Sequence, residues 1–106
     1  MDTLDHIDLK AHLFQTLSNP ARLKILKALE NGPLNVSKIS MATGLNEAKT
    51  SNLLKQLSYA GLLVCTKHGR KRYYSLFNPC LIDWVNGASS FITANMAQKP
   101  LITLAA

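Results

Sequence analysis

The sequence predicts a mainly α-helical fold with a small β-hairpin, laid out as a winged helix-turn-helix, and three observations carry that prediction. Two stretches with helical apolar spacing, 36–43 and 47–59, are joined by only Gly44-Leu45-Asn46. The second of these carries a long row of polar and basic side chains. Two short strand-like runs follow, 62–67 and 71–76, separated by His68-Gly69-Arg70, a turn with a basic tip. In that layout the helix after the turn enters a DNA major groove while the hairpin touches the backbone.

Each element has its own local justification. Ile7, Ala11, Phe14 and Leu17 recur at helical spacing beside Leu9 and Leu13, predicting a first helix over 5–17 with a wide apolar stripe. Ser18-Asn19-Pro20 ends it: Asn19 caps a second helix, and Pro20 takes its first position, where a missing N–H is harmless. Leu23, Ile25, Leu26 and Leu29 form the inner face of that helix, Arg22, Lys24 and Lys27 lie outside, and Gly32-Pro33 stops it. Asn35 caps a third helix, 36–43, with Val36, Ile39 and Ala42 inward and Gly44 at its end. Asn46 caps a fourth, 47–59, in which Leu54 and Leu57 pack inward and Ala60-Gly61 closes the helix. Gly69 supplies the positive φ that the wing turn wants. After Asn78-Pro79 a last helix, 80–97, carries Leu81, Trp84, Val85, Ala88, Phe91, Ile92 and Met96 on one side, with a run of small residues at 87–90 that permits close helix approach. The apolar tail beyond Pro100 is assigned no structure.

The whole chain, 1–106, reads as one small domain whose limited core leaves apolar surface for a partner. Composition points the same way: 47% of residues are hydrophobic and only 17% charged, a first hint of a buried dimer seam formed by the first and last helices. The net charge of +6 is unevenly spread. Asp2, Asp5 and Asp8 are gathered at the start, whereas between Lys10 and Arg72 eleven Lys and Arg face only Glu30 and Glu47. So basic a middle suits a polyanion, a trait shared with ribosomal and membrane-surface proteins. No apolar run reaches the roughly 20 residues that span a bilayer, so no membrane partner is expected. Two cysteines and an acidic N-terminus without an apolar stretch make a reducing cytoplasm the expected location.

The outward set on the fourth helix is Asn46, Glu47, Lys49, Thr50, Ser51, Asn52, Lys55 and Gln56, its N-terminal members being those a recognition helix aims at base edges. Lys49 suits guanine O6 and N7, Asn52 suits adenine, Glu47 suits cytosine N4, and Ser51 a phosphate or a base. The plainer alternative is a solvated helix face. Lys67, Arg70, Lys71 and Arg72 crowd the wing within six residues, an arrangement that phosphates would neutralise, with counterion release adding to affinity. These cations position and do not read sequence. Arg22, Lys24 and Lys38 are further candidates for backbone contacts.

Two motifs bear a resemblance to a known family. Leu17-Ser18-Asn19-Pro20-Ala21-Arg22-Leu23-Lys24-Ile25-Leu26 resembles the LxxPxRLxIL signature of the ArsR/SmtB transcriptional regulators. Gly61-Leu62-Leu63 with Lys67-His68-Gly69-Arg70 and Tyr73-Tyr74-Ser75-Leu76 resembles that family's wing. The resemblance covers about residues 10 to 96. It implies a homodimeric repressor that binds double-stranded DNA and releases it on binding an inducer. The departures matter too. The family's Cys-x-Cys metal pair falls on Asn35 and Ser37, and its last-helix ligands fall on Asp83, Val85, Met96 and Lys99, of which only the aspartate matches. The resemblance therefore implies neither usual metal site, no cofactor, and an unknown effector. The family's Ser-Gln-Pro-Thr-Val-Ser-Arg-His run stands here as Asn46-Glu47-Ala48-Lys49-Thr50-Ser51-Asn52-Leu53, which implies a different operator.

Other ligand-type residues are Cys65, Cys80, His6, His12, His68 and Asp83. The two cysteines are expected to be small buried hydrophobes about 20 Å apart along the strands, too far for a disulfide or a shared metal. A metal- or thiol-responsive sensor with a non-standard site is one alternative, and a winged helix that docks proteins instead of DNA is another. An enzyme is not supported: the chain has no glycine-rich phosphate loop, no nucleophile beside a histidine and no paired carboxylates in a cleft.

Overall fold

The computed structural model describes residues 6–98. Its order is α1 (Ile7–Leu17), α2 (Pro20–Ala28), β1 (Leu34–Asn35), α3 (Val36–Thr43), α4 (Glu47–Tyr59), β2 (Leu63–His68), β3 (Lys71–Leu76) and α5 (Cys80–Gln98). This is the mainly helical winged helix-turn-helix that the sequence predicts. The expected helix start at Asp5, the acids Asp2 and Asp5, Lys99 and the tail beyond Pro100 lie outside the described residues.

Helix starts follow the capping asparagines. The Asn19 side chain accepts from the Ala21 and Arg22 N–H groups, Asn35 from Lys38, and Asn46 from Lys49. Each such cap satisfies donors that the first turn would leave unpaired, stabilising the helix by about 1 kcal/mol. Gly44 ends α3 in the left-handed region at φ 75°, where a side chain would be strained, and this fixes the turn between α3 and α4. α2 ends at Ala28, with Leu29 as its cap and a turn reaching Gly32, earlier than the Gly32-Pro33 stop suggests.

The core is one cluster: Ile25, Leu26 and Leu29 of α2 and its cap, Ile39 of α3, Leu53, Leu54 and Leu57 of α4, Leu63 and Tyr74 of the sheet, and Leu81 and Ile82 of α5. Each fully buried aliphatic side chain contributes about 1.5 to 3 kcal/mol relative to exposure. Ile82 and Leu53 join this core although the sequence patterns single out Leu81, Leu54 and Leu57. Ala42, expected to face inward, is exposed.

Two features correct the predicted wing. The sheet has three strands in the order β1-β3-β2, because Leu34 and Asn35 pair antiparallel with Tyr74 and Tyr73. Two residues are too short for alternation to reveal such a strand. His68 belongs to β2, paired with Lys71, so the loop is only Gly69-Arg70. Gly69 has φ 63° and Arg70 does not have positive φ, the pattern of a type II′ hairpin turn, whose twist matches that of the strands.

α1 and α5 leave much of their apolar surface uncovered, as the sequence predicts. α1 has no buried residue; Ile7, Leu9 and Phe14 are 52%, 62% and 66% exposed, and on α5 Trp84 and Phe91 are 60% and 58% exposed. Between the two helices runs an apolar groove of about 600 Å³ lined in part by Leu13, Phe14, Leu17, Trp84, Val85 and Ile92.

Candidate nucleic-acid interface

α4 sits on the core through Leu53, Leu54 and Leu57, which turns its opposite face outward. Of the predicted outward residues, Asn46, Glu47, Lys49, Asn52 and Lys55 are exposed, as is Gln56, and Ser51 is half-buried. Thr50 is a correction. Its side chain is 0% exposed and its hydroxyl donates to the Asn46 carbonyl at 2.8 Å, so it cannot reach a base. The reason is helical spacing: position 50 precedes Leu53, Leu54 and Leu57 by three, four and seven residues and shares their buried row.

Two exposed residues are also restrained. The Glu47 carboxylate accepts from the Ser37 hydroxyl at 2.6 Å, strapping the first turn of α4 to α3. The Gln56 side chain accepts from Arg22 Nη2 at 2.7 Å. Arg22 itself was expected to lie outside α2 as a loose cation. Instead it is half-buried, and Nη1 donates to the Thr16 carbonyl at 2.9 Å, so one guanidinium ties the end of α1 to α4. A fixed five-donor fork suits such bridging, but one partner, Gln56, lies 34 residues away in sequence, beyond any local pattern.

Lys67, Arg70, Lys71 and Arg72 are all exposed. Register places Lys67 opposite Arg72 on one face, with Lys71 opposite His68 on the other and Arg70 in the loop. Like charges directly opposite one another are destabilising, and residues 62–76 contain no carboxylate to relieve them. His68 packs edge-on against Tyr73 with ring centres 5.6 Å apart. The strand register thus puts four cations at one end of the hairpin, and the exposed face of α4 offers Lys49, Asn52 and Lys55.

The cysteines differ from expectation. Cys65 and Cys80 are both free and exposed, one in mid-β2 and the other at the first position of α5, not buried as hydrophobes. An exposed strand position follows from β2 lying at the sheet edge with only Leu63 buried. Arg72 Nη1 approaches the Cys65 sulfur at 4.0 Å. Burial, followed by the neighbouring Cys65 thiol, pushes the Tyr74 phenol up, with Arg72 pulling the other way, so Tyr74 keeps its proton. Among the described residues no three of His, Cys, Asp and Glu gather closely enough to hold a metal ion. No helix among them is long and apolar enough to cross a membrane.

A short helix-turn-helix, an exposed polar row and a cationic three-stranded wing define a winged helix-turn-helix DNA-binding protein. Residues 19–63 match the model of the bacterial regulatory protein arsR family. The chain is 40% identical to the HTH-type transcriptional regulator NmtR of Mycobacterium tuberculosis over 68 residues, which are 64% of this chain and 57% of that relative. It is 35% identical over 92 residues to the HTH-type transcriptional regulator Rv0081 of the same organism, covering 86% of this chain and 81% of the relative. The crystal structure of Rv0081 superposes with a TM-score of 0.77 at 26% identity, covering 92% of this chain and 96% of that one. The winged helix-turn-helix DNA-binding domain Mb0332 of Mycobacterium bovis, a homodimer in solution, superposes with a TM-score of 0.74 at 26% identity and 91% coverage of both chains. The chain belongs to the ArsR family of DNA-binding transcriptional regulators.

Proposed function

We propose that this regulator is a homodimeric repressor that binds an imperfect palindrome in double-stranded DNA, with α4 of each subunit reading one half-site and the wings gripping the backbone. The observation that carries the reading is the wing: four exposed cations with no carboxylate, set beside the exposed Lys49, Asn52 and Lys55 of α4. Glu47, Lys49, Ser51 and Asn52 are the base-reading candidates, with Asn46 capping the helix that presents them, and Lys67, Arg70, Lys71 and Arg72 the phosphate contacts. Half-site centres would lie about one helical turn apart, or a multiple of it. Repression follows by occluding a promoter in the cytoplasm.

Dimerisation rests on the exposed apolar side chains of α1 and α5, among them Phe14 and Trp84, which line the groove between the two helices. The homodimeric state of Mb0332 supports it. An effector would act by favouring a dimer in which the two α4 helices no longer match the half-site spacing.

The test is a fluorescence-anisotropy titration against a randomised duplex pool with recovery of the bound sequences, repeated with zinc, cadmium, arsenite, a reductant and an oxidant. An enriched palindrome supports the reading, and loss of binding with one additive names the signal class. No enrichment would move the assignment to a protein-docking winged helix.

A further inference from the structure

We infer that the cleft between the last turn of α4 and the adjoining face of the wing seats a phosphate of the DNA backbone. This rests on the DNA-binding reading above, which already uses Arg72 and Lys55, and extends it to Ser58, Tyr59 and Cys65. The cleft is lined by Lys55, Ser58 and Tyr59 of α4 and by Cys65, Arg72 and Tyr74 of the wing, and encloses about 560 Å³. Its two charged side chains are both cations.

Four features make it a seat for an oxyanion. Arg72 is at hydrogen-bonding distance of the Cys65 sulfur, 4.0 Å away, which places its guanidinium over the cleft. The Ser58 hydroxyl is buried and has no hydrogen-bond partner, a state that is rare in folded proteins and is relieved by an incoming acceptor. Tyr59 is 96% exposed, so its ring does nothing for the core, and it brings to the cleft's lining a phenol that is able to donate. Asn52, Lys55 and Tyr59 follow one another at helical spacing, so the cleft continues the exposed row of α4 towards the wing. A duplex lying along that row passes over it. The carboxyl end of α4 carries about half a negative charge. Two full cations outweigh it, and a phosphate diester with a single negative charge suits what remains.

Cys65 in the wall makes the proposal directly measurable. Alkylation by N-ethylmaleimide forms a thioether at the sulfur, with the thiol proton ending on the succinimide carbon, and is followed by mass spectrometry of the Cys65 and Cys80 peptides of the same chain. With saturating recovered duplex, Cys65 should react about tenfold more slowly, whereas Cys80, at the start of α5, keeps its rate. Inorganic phosphate at the same phosphate concentration should protect neither. Tyr59→Phe, which leaves the core untouched, should weaken every duplex by roughly tenfold regardless of sequence, as loss of a hydrogen bond to a charged group does. Undiminished Cys65 reactivity while anisotropy shows the duplex bound would overturn the seat and leave DNA binding standing. Equal protection by inorganic phosphate would replace it with a free-oxyanion site. Absence of duplex binding would overturn both readings together.

Discussion

Replacing Arg70 and Arg72 by alanine is the sharpest test of the wing. Both side chains are exposed, and the side-chain hydrogen bond seen for Arg72 is the long one to Cys65 at 4.0 Å, so neither is part of the core. Removing two cations from a hairpin end that has no carboxylate should leave folding stability within about 0.5 kcal/mol of the parent. The effect belongs to binding. If each arginine neutralises one phosphate, a dimer loses four contacts, and the slope of log affinity against log salt becomes shallower by about 3.6. Between about 50 and about 200 mM salt, the parent would then lose roughly 150-fold more affinity than the variant. Anisotropy titrations of both proteins on one duplex at four salt concentrations measure this. Parallel slopes, with an unchanged melting curve, would refute the claim that these arginines meet phosphates.

Four further outcomes follow from the packing and electrostatics. Leu54→Ala, at a side chain that is 0% exposed, should lower stability by about 2 to 5 kcal/mol in urea unfolding, and a loss under about 1 kcal/mol would mean that the site collapses around the cavity. Asn46→Ala removes the acceptor that holds the Lys49 N–H at 2.7 Å and should lower stability by about 1 kcal/mol, whereas Asn46→Asp should restore it; equal losses in both would show that capping is not the cause. The Glu30 carboxyl is held below its ordinary value, first by hydrogen bonding from Lys27 at 2.9 Å and then by Asn86, which ties α2 to α5. A lowered folded pKa means that this contact stabilises fully above the ordinary glutamate range and is lost as pH falls through the lowered value, so the Glu30→Gln variant should melt below the parent above the ordinary glutamate range and converge with it as pH falls through the lowered value. Phe14→Asp with Trp84→Asp should reduce the sedimentation mass to that of one 11.7 kDa chain, and a parent already at that mass would remove the dimer from the proposal.

Much of the architecture was legible in the sequence because its signals are local. Asn19, Asn35 and Asn46 announce helix starts through bonds that reach only two or three residues along the chain. Apolar spacing places α2 and α4, and Gly44 and Gly69 mark the helix-turn-helix and wing turns, both of which need left-handed backbone. The clustering of Lys67, Arg70, Lys71 and Arg72 likewise needs no coordinates to be seen. What local pattern misjudged was the polar residue with a dual nature. Thr50 is short and polar enough to read as outward, yet its hydroxyl is satisfied by the helix's own carbonyl and its methyl group packs in the core row.

The sequence by itself determined the order of the five helices and the hairpin, the helix boundaries to within a few residues, and the cationic character of the wing. Only the tertiary structure decided which partners those elements find. It added the two-residue β1 to the sheet, turned Arg22 from a surface charge into a bridge between Thr16 and Gln56, exposed both cysteines, and gathered Lys55, Ser58, Tyr59, Cys65 and Arg72 around one cleft. The physical reason is range. Caps, turns and periodicity are settled by neighbours along the chain, whereas burial, strand pairing and long side-chain bridges depend on groups that only the packed fold brings together.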